Sequence, residues 1–331
     1  MTNLPRTLIL GAGGQVGAAM AHEAGSENSI SVDLRAGPGI QYVLDLAKSG
    51  ALSSQLAELL AATRPDVVIN AAGMTWVDGC EADPRLAALL NDSAAREVAR
   101  QTRRFGGTSV YFSTEYVFDG AAGPYSETDP ARPLSVYGRT KLNGETGVLA
   151  VDPDSLVIRT TVVYGPEALG KNFAYQLAAA LSSSTPIRVP SDQVSSPTYN
   201  VDLAAVTLAL IRNRVSGICN VVGPELMDRA TFARRLAHAI GGETGLIQSV
   251  PTAALEQRAP RPLKAGLRVD RLRSLLPHCH LRTPEEAVLH WRSRQTGKPW
   301  PALAGRADRQ PVGAFRSQPP PDTPREVRRE S

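Results

Sequence analysis

The sequence predicts an α/β fold, a doubly wound parallel sheet followed by a smaller C-terminal portion. Three observations predict it. Short β-rich runs alternate with longer helical patterns through the first half of the chain. A glycine-rich segment follows the first of these runs directly. The run Asp66-Val-Val-Ile-Asn70 is apolar on consecutive residues, so both of its faces are buried, as in a central parallel strand.

In order, the expected strands are Thr7–Leu10, Ile30–Asp33, Asp66–Ala71, Ser109–Ser113 and Leu156–Thr160. Helical patterns lie between them, near Val16–Ala24, Ala51–Ala62, Pro84–Arg103 and Val136–Leu149. Crossovers of this length between parallel strands are right-handed. Asn172–Leu181 and Arg229–Ile240 read as helices, and Gly217–Val222 as a strand returning to the main sheet. The expected division is a dinucleotide-binding part over 1–165 with a return segment at about 200–223, and a substrate-binding part over 166–296. A Pro/Arg-rich tail over 297–331 has too few apolar residues to repay ordering, and disorder is expected there.

With 331 residues, 42% of them hydrophobic, the chain builds a core that needs neither disulfide nor metal. The net charge is +4 with no basic stripe in the folded part, so no nucleic-acid partner is expected. No apolar run approaches the roughly 20 residues that span a bilayer, so no membrane partner is expected either. Cys80, Cys219 and Cys279 are odd in number and scattered; a reducing cytoplasm is the expected location. The expected first strand begins at Thr7, so no targeting segment is expected. His278-Cys-His280 has no second cluster to complete a tetrahedral site, so no metal is expected. Cys80 lacks an evident base partner and reads as an inert thiol.

Gly11-Ala-Gly-Gly-Gln-Val-Gly17 joins an expected strand to an expected helix. Glycines there permit a tight turn and close approach of a pyrophosphate, and the helix N-terminus supplies free N–H groups. With both flanks of the required type, the segment reads as a Rossmann dinucleotide loop. Gly11, Gly14, Gln15, Val16 and Gly17 are its candidate cofactor contacts. Asp33 ends the second strand about 20 residues on, where an acid binds the adenosine ribose hydroxyls. Arg35 is placed to accommodate a 2′-phosphate instead. The residues therefore leave NADH and NADPH both open.

Tyr137 and Lys141 stand four apart in a helical pattern and so share a face. An ammonium beside a phenol lowers the phenol pKa from its usual ~10. A tyrosine so tuned exchanges a proton with a carbinol oxygen near neutral pH. Thr114 follows the fourth strand, at the carboxyl end where doubly wound sheets gather their catalytic groups. It is placed to hydrogen-bond the same substrate oxygen.

These residues resemble the extended short-chain dehydrogenase/reductases, and within them the dTDP-4-dehydrorhamnose reductase family. The resemblance runs over roughly residues 7–240. Its segments are Gly11–Gly17, Arg64–Ala72, Val77-Asp78 with Glu81, Ser113–Gly120, Pro124-Tyr125 with Glu127, Pro133–Leu142 with Gly144-Glu145, and Asp192-Gln193 with Pro197-Thr198. It implies that Tyr137 is the proton donor, that Lys141 binds the nicotinamide ribose, and that Thr114 is the third catalytic hydroxyl. Ala71, Ala72 and Gly73 are then the stretch lining the cofactor, and Asp45 and Leu46 the pair near the adenine. Thr75, Trp76, Glu115, Asn172 and Gln193 fall on the substrate side, with Phe173 beside Asn172. The implied reaction reduces the 4-keto group of a nucleotide-diphosphate sugar with NADPH or NADH.

The chain departs from the family pattern in places. Glu115 stands where Ser-Thr-Asp is frequent, and Val162 where a tryptophan is frequent. Gly73-Met74 and Trp76 are unusual beside the active-site loop; Trp76 either stacks on a ligand or simply packs. The first helix carries Ala18-Ala-Met20 in place of the carboxylate that some members use for a magnesium-bridged dimer, so a homodimer, if formed, is not expected to be metal-bridged. Two other readings share the fold. One is a non-catalytic regulatory subunit like that of methionine adenosyltransferase, against which the intact Thr114, Tyr137 and Lys141 speak. The other is a nucleotide-sugar epimerase.

Overall fold

A computed structural model describes residues 4–294. The tail expected to be disordered lies outside these residues. The strands are β1 (Thr7–Leu10), β2 (Ser29–Asp33), β3 (Tyr42–Val43), β4 (Val67–Asn70), β5 (Thr108–Thr114) and β6 (Leu156–Thr160). With Gly217–Asn220 they form one seven-stranded sheet in the order Gly217–Asn220, β6, β5, β4, β1, β2, β3, parallel throughout. The order reverses at β1, between β2 and β4, and ligands of doubly wound sheets bind outside the strand ends at such a point.

Helices cover both faces. They are α1 (Gln15–Ala24), α2 (Ser49–Thr63), α3 (Val77–Ala82), α4 (Pro84–Ala88), α5 (Ala94–Arg104) and α6 (Val136–Val151). The second half adds α7 (Phe173–Ser182), α8 (Asn200–Arg212), α9 (Arg229–Ile240), α10 (Asp270–Leu275) and α11 (Pro284–Arg294). One core packs α1 and α8 on the sheet through Met20, Ile69, Leu203 and Leu210, all fully buried. A second, on the other face, seats α2 through Leu56 and Leu60 against Leu8 and Leu10. A separate cluster builds the C-terminal portion from Tyr164, Phe173, Phe232 and Trp291. Cys279, from the His-Cys-His run, is partly buried against the first core.

The structure adds α8, α10 and α11, which the sequence reading does not name, and in the first half it differs from that reading in three places. The single helix expected over Pro84–Arg103 is two helices joined by a π-helical turn at Leu89–Ser93. The turn diverts the carbonyl of Asn91 to the Tyr111 hydroxyl at 2.6 Å. Helix α3 was not expected, because Gly79 sits in its middle. β3 was not expected because it is two exposed residues long.

Helix α6 lies unusually close to the sheet. A Cβ built on Gly144 would stand 2.2 Å from the Asn91 carbonyl oxygen and 2.5 Å from the Tyr111 hydroxyl. The next residue, Glu145, forms a two-pronged ion pair with Arg159 of β6, at 2.9 and 2.7 Å. Both side chains are almost wholly buried. Arg159 also donates to the Glu127 carbonyl, and the Glu127 carboxylate accepts from the Asn220 amide. The pair thus joins α6, two strands and the connecting loop.

Removing one member of a buried pair leaves an uncompensated charge, at a cost of about 3–5 kcal/mol. Glu145→Ala is expected to lower unfolding stability by that amount in urea titrations. The double variant Glu145→Leu/Arg159→Met is expected to recover most of the loss. Equal destabilisation by the single and double variants would contradict the account.

Candidate active site

The glycine loop closes on the ends of β1 and β4. A Cβ on Gly17 would stand 2.1 Å from the Gly11 carbonyl oxygen, and one on Gly11 2.8 Å from the Ala72 amide nitrogen. The loop, α1 and the Ala71-Ala72 stretch therefore fit only without side chains at these glycines. Gly14 precedes α1 and donates to the Gly11 carbonyl. Val16 packs on the core. Asp33 turns its carboxylate onto the loop and accepts from the Gly13 amide at 2.8 Å. Arg35 is exposed, its amide reaching Asp33 at 3.4 Å. Asp45 accepts from the Ala47 amide, while Leu46 is buried in the α2 core.

Two buried donors on this face, Gln15 Nε2 and Asn70 Nδ2, have no protein partner. Orphaned buried amides require an explanation. With the side-chain-free cradle at Gly11 and Gly17, they fit a dinucleotide lying across the strand ends.

The candidate catalytic residues lie across β5 and α6. Thr114 ends β5, and Ser135 caps α6 by accepting from the Gly138 amide. The Thr114 hydroxyl accepts from the Tyr116 amide at 3.2 Å and lies near enough to the Tyr137 phenol to lower its pKa. Lys141, one turn on, is buried and holds its Nζ 4.0 Å from the centre of the Tyr111 ring. A Cβ on Gly73 would stand 4.0 Å from that Nζ and 2.8 Å from Asn91 Oδ1. Gly73 and Lys141 therefore face one space.

The expected depression of the Tyr137 pKa does not occur within the polypeptide alone. Burial pushes the phenol well above its ordinary value, and the Thr114 hydroxyl offsets this only in part. Burial also pushes Lys141 down to about 7, against the pull of Glu145 and Cys80. Desolvation outweighs the pairwise attraction on which the sequence argument rested. A phenol held in its protonated form suits a proton donor.

Asn91 is a residue the sequence reading missed. Its side chain clasps both backbone groups of Met74, at 2.8 and 3.0 Å, and donates to Thr140 at 3.1 Å. It thereby fixes the Gly73–Trp76 loop to α6. Cys80, fully buried, bonds the Met74 carbonyl, and burial raises its thiol to about 11. This agrees with an inert thiol.

On the substrate side, Thr75 is exposed. Trp76 lays its ring on Gly79 and leaves Nε1 buried without a partner. Asn172 is occupied, capping α7 and donating to the Gly165 carbonyl at 2.8 Å. Gln193 is tied to Thr252 and Gln257. Glu115 is buried beside Thr114.

Two arginines, both remote in sequence and both missed, complete this wall. Arg229 begins α9 with its guanidinium 5.0 Å over the Phe173 ring. Arg261 binds Asp78 at 2.9 Å and leaves Nη1 buried without a partner. Burial lowers the pKa of Arg229, and the Arg261 charge lowers it further. A buried guanidinium donor without a partner is costly unless a ligand satisfies it.

The depressed Lys141 makes stability depend on pH. Between about 7 in the fold and 10.5 in the unfolded chain, the unfolded state holds the extra proton. Stability in that window therefore rises with pH, by up to about 1.4 kcal/mol per unit. Urea unfolding without added cofactor is expected to show wild type gaining on Lys141→Met from pH 7 to pH 10. A difference independent of pH would contradict this.

Comparison with known proteins fits the geometry. The family model described as the RmlD substrate binding domain matches residues 5–291. A dTDP-4-dehydrorhamnose reductase from Mycobacterium tuberculosis is 33% identical over 87% of this chain and 90% of its own. A probable dTDP-4,6-dihydroxy-2-methyloxan-3-one 4-ketoreductase from Streptomyces antibioticus is 36% identical, covering 81% and 88%. The crystal structure of a Bacillus anthracis dTDP-4-dehydrorhamnose reductase in complex with NADP superposes with a TM-score of 0.78 at 26% identity, covering 88% and 99%. The chain belongs to the RmlD substrate-binding-domain family, within the extended short-chain dehydrogenase/reductases, whose members are NAD(P)H-dependent oxidoreductases.

Proposed function

We propose that this protein reduces the C4 ketone of a dTDP-linked 4-keto-6-deoxysugar. The observation that carries the reading is the placing of Thr114 at the end of β5 beside the buried Tyr137 of α6, with Lys141 buried one turn on. The names of the M. tuberculosis and S. antibioticus relatives support the substrate class.

Tyr137 donates its phenolic proton to the carbonyl oxygen as that oxygen gains charge. Thr114 orients the same oxygen. Lys141 holds the nicotinamide ribose and, once charged, eases loss of the phenolic proton. The reduced nicotinamide, when bound, supplies the hydride. Arg229 and Arg261 face the diphosphate, which supplies an acceptor for the free Arg261 Nη1. The Asp33 carboxylate, fixed on the Gly13 amide, supports NADH over NADPH, because a 2′-phosphate there would meet a like charge.

Purified protein given a dTDP-4-keto-6-deoxyhexose is expected to oxidise reduced nicotinamide, with NADH preferred. Positioned proton transfer contributes about 100- to 10,000-fold, so Tyr137→Phe is expected to cut kcat at least 100-fold. Undiminished turnover by that variant would refute the proton-donor role. Cofactor binding without turnover on any keto-sugar would favour the regulatory reading.

A further inference from the structure

Reduction needs the Lys141 ammonium at one place, yet no carboxylate fixes it there. Glu145, one turn on in α6, spends both of its oxygens on Arg159. Cys80 of α3 is fully buried and bonds the Met74 carbonyl instead. What Lys141 Nζ meets is the face of Tyr111, 4.0 Å from the ring centre. Both side chains are buried. A cation over an aromatic face is attracted by the ring quadrupole, and more strongly where water is excluded.

The ring is itself anchored. Tyr111 stands in β5, in register with Asn70 of β4 and Val157 of β6. It packs with Ala95 and Ala99 of α5 and Val148 of α6. Its hydroxyl donates to the Asn91 carbonyl at 2.6 Å, within the π-helical turn. Burial raises the phenol well above its ordinary value, so the proton for that bond is retained. Single π turns inside helices are frequent at functional sites, and the carbonyl of this one fixes an aromatic ring under an ammonium.

We propose that Tyr111 is a positioning residue for the reduction: its ring face holds the Lys141 ammonium beside Gly73 of the cofactor-lining stretch, and the Asn91 carbonyl holds the ring. The use of that ammonium on the nicotinamide ribose rests on the reductase reading; the ring–ammonium contact does not. The titratable groups around the pair are Tyr137 and Glu145 of α6, Cys80 of α3 and Asp92 of the π turn, with Arg159 of β6 paired to Glu145. The ring favours the charged form of Lys141, against the burial that lowers its pKa. Weakening the quadrupole at constant shape must therefore lower that pKa further.

The test replaces Tyr111 by phenylalanine and by 3,4,5-trifluorophenylalanine, which keeps the ring and weakens its quadrupole. Each replacement is made in wild type and in Lys141→Met. Lys141 is one of five lysines, so it can be titrated by NMR in cofactor-free protein carrying carbon-13-labelled lysine. Its signal is the one missing from Lys141→Met. NADH binding is measured by calorimetry, and circular dichroism checks that each variant is folded. Tyr111→Phe is expected to leave the Lys141 titration close to that of wild type. The fluorinated ring is expected to lower the Lys141 pKa by about half a unit or more relative to Tyr111→Phe. It is also expected to weaken NADH binding about threefold or more when Lys141 is present, and to have no such effect in Lys141→Met. The same Lys141 titration with both rings, or equal weakening of NADH binding in both backgrounds, would overturn the proposal. If these shifts are seen but wild type turns over no keto-sugar, the reductase reading fails while the positioning role stands.

Discussion

The seating of α6 on the sheet is the constraint on which the site depends. The helix approaches so closely that a Cβ at Gly144 would meet the Asn91 carbonyl and the Tyr111 hydroxyl. The Glu145–Arg159 pair then locks its depth and its rotation. Tyr137 and Lys141 belong to the face so fixed. Their distances to Thr114, to the Tyr111 ring and to the cofactor loop follow from that seating. A looser helix would let water reach the Lys141 ammonium and would relax its pKa.

Burial also governs the electrostatics. Tyr137, Lys141, Glu115 and Arg229 are all displaced toward their neutral forms chiefly by desolvation. Charged partners act as corrections to that larger effect. The result is a site in which Glu115 and Tyr137 favour their protonated forms, while Arg261, though paired with Asp78, keeps one buried donor free. Such a site suits the anionic ligand with a polar sugar that we propose. The orphaned Arg261 Nη1, Trp76 Nε1 and Glu115 Oε2 are its open valences on the substrate side.

Much of this was legible in the sequence. The long parallel strands showed as short apolar runs, and the glycine loop was identifiable because a strand and a helix flank it. The Thr114, Tyr137 and Lys141 set was readable from its placement after the fourth strand. Legibility failed where tertiary contacts override local preference. Nothing in the helix-forming run Pro84–Arg103 announces a π turn, because the turn exists to serve Tyr111, Met74 and Thr140. Arg229 and Arg261 lie more than a hundred residues after Thr114, and no local pattern marks them. The tuning of Tyr137 was misjudged because spacing reports proximity to Lys141 but not the degree of burial.

The account's central claim is that the cleft above Tyr137 reduces a ring ketone at C4. The most direct measurement follows the transferred hydrogen. Wild-type protein would be supplied with a dTDP-4-keto-6-deoxyhexose and NADH deuterated at the transferring C4 position, and the product examined by mass spectrometry and proton NMR. The account predicts one deuterium per product molecule, located at C4 of the sugar, with one cofactor oxidised for each. Product without deuterium, isomerised sugar with no net cofactor oxidation, or no product at all would contradict it.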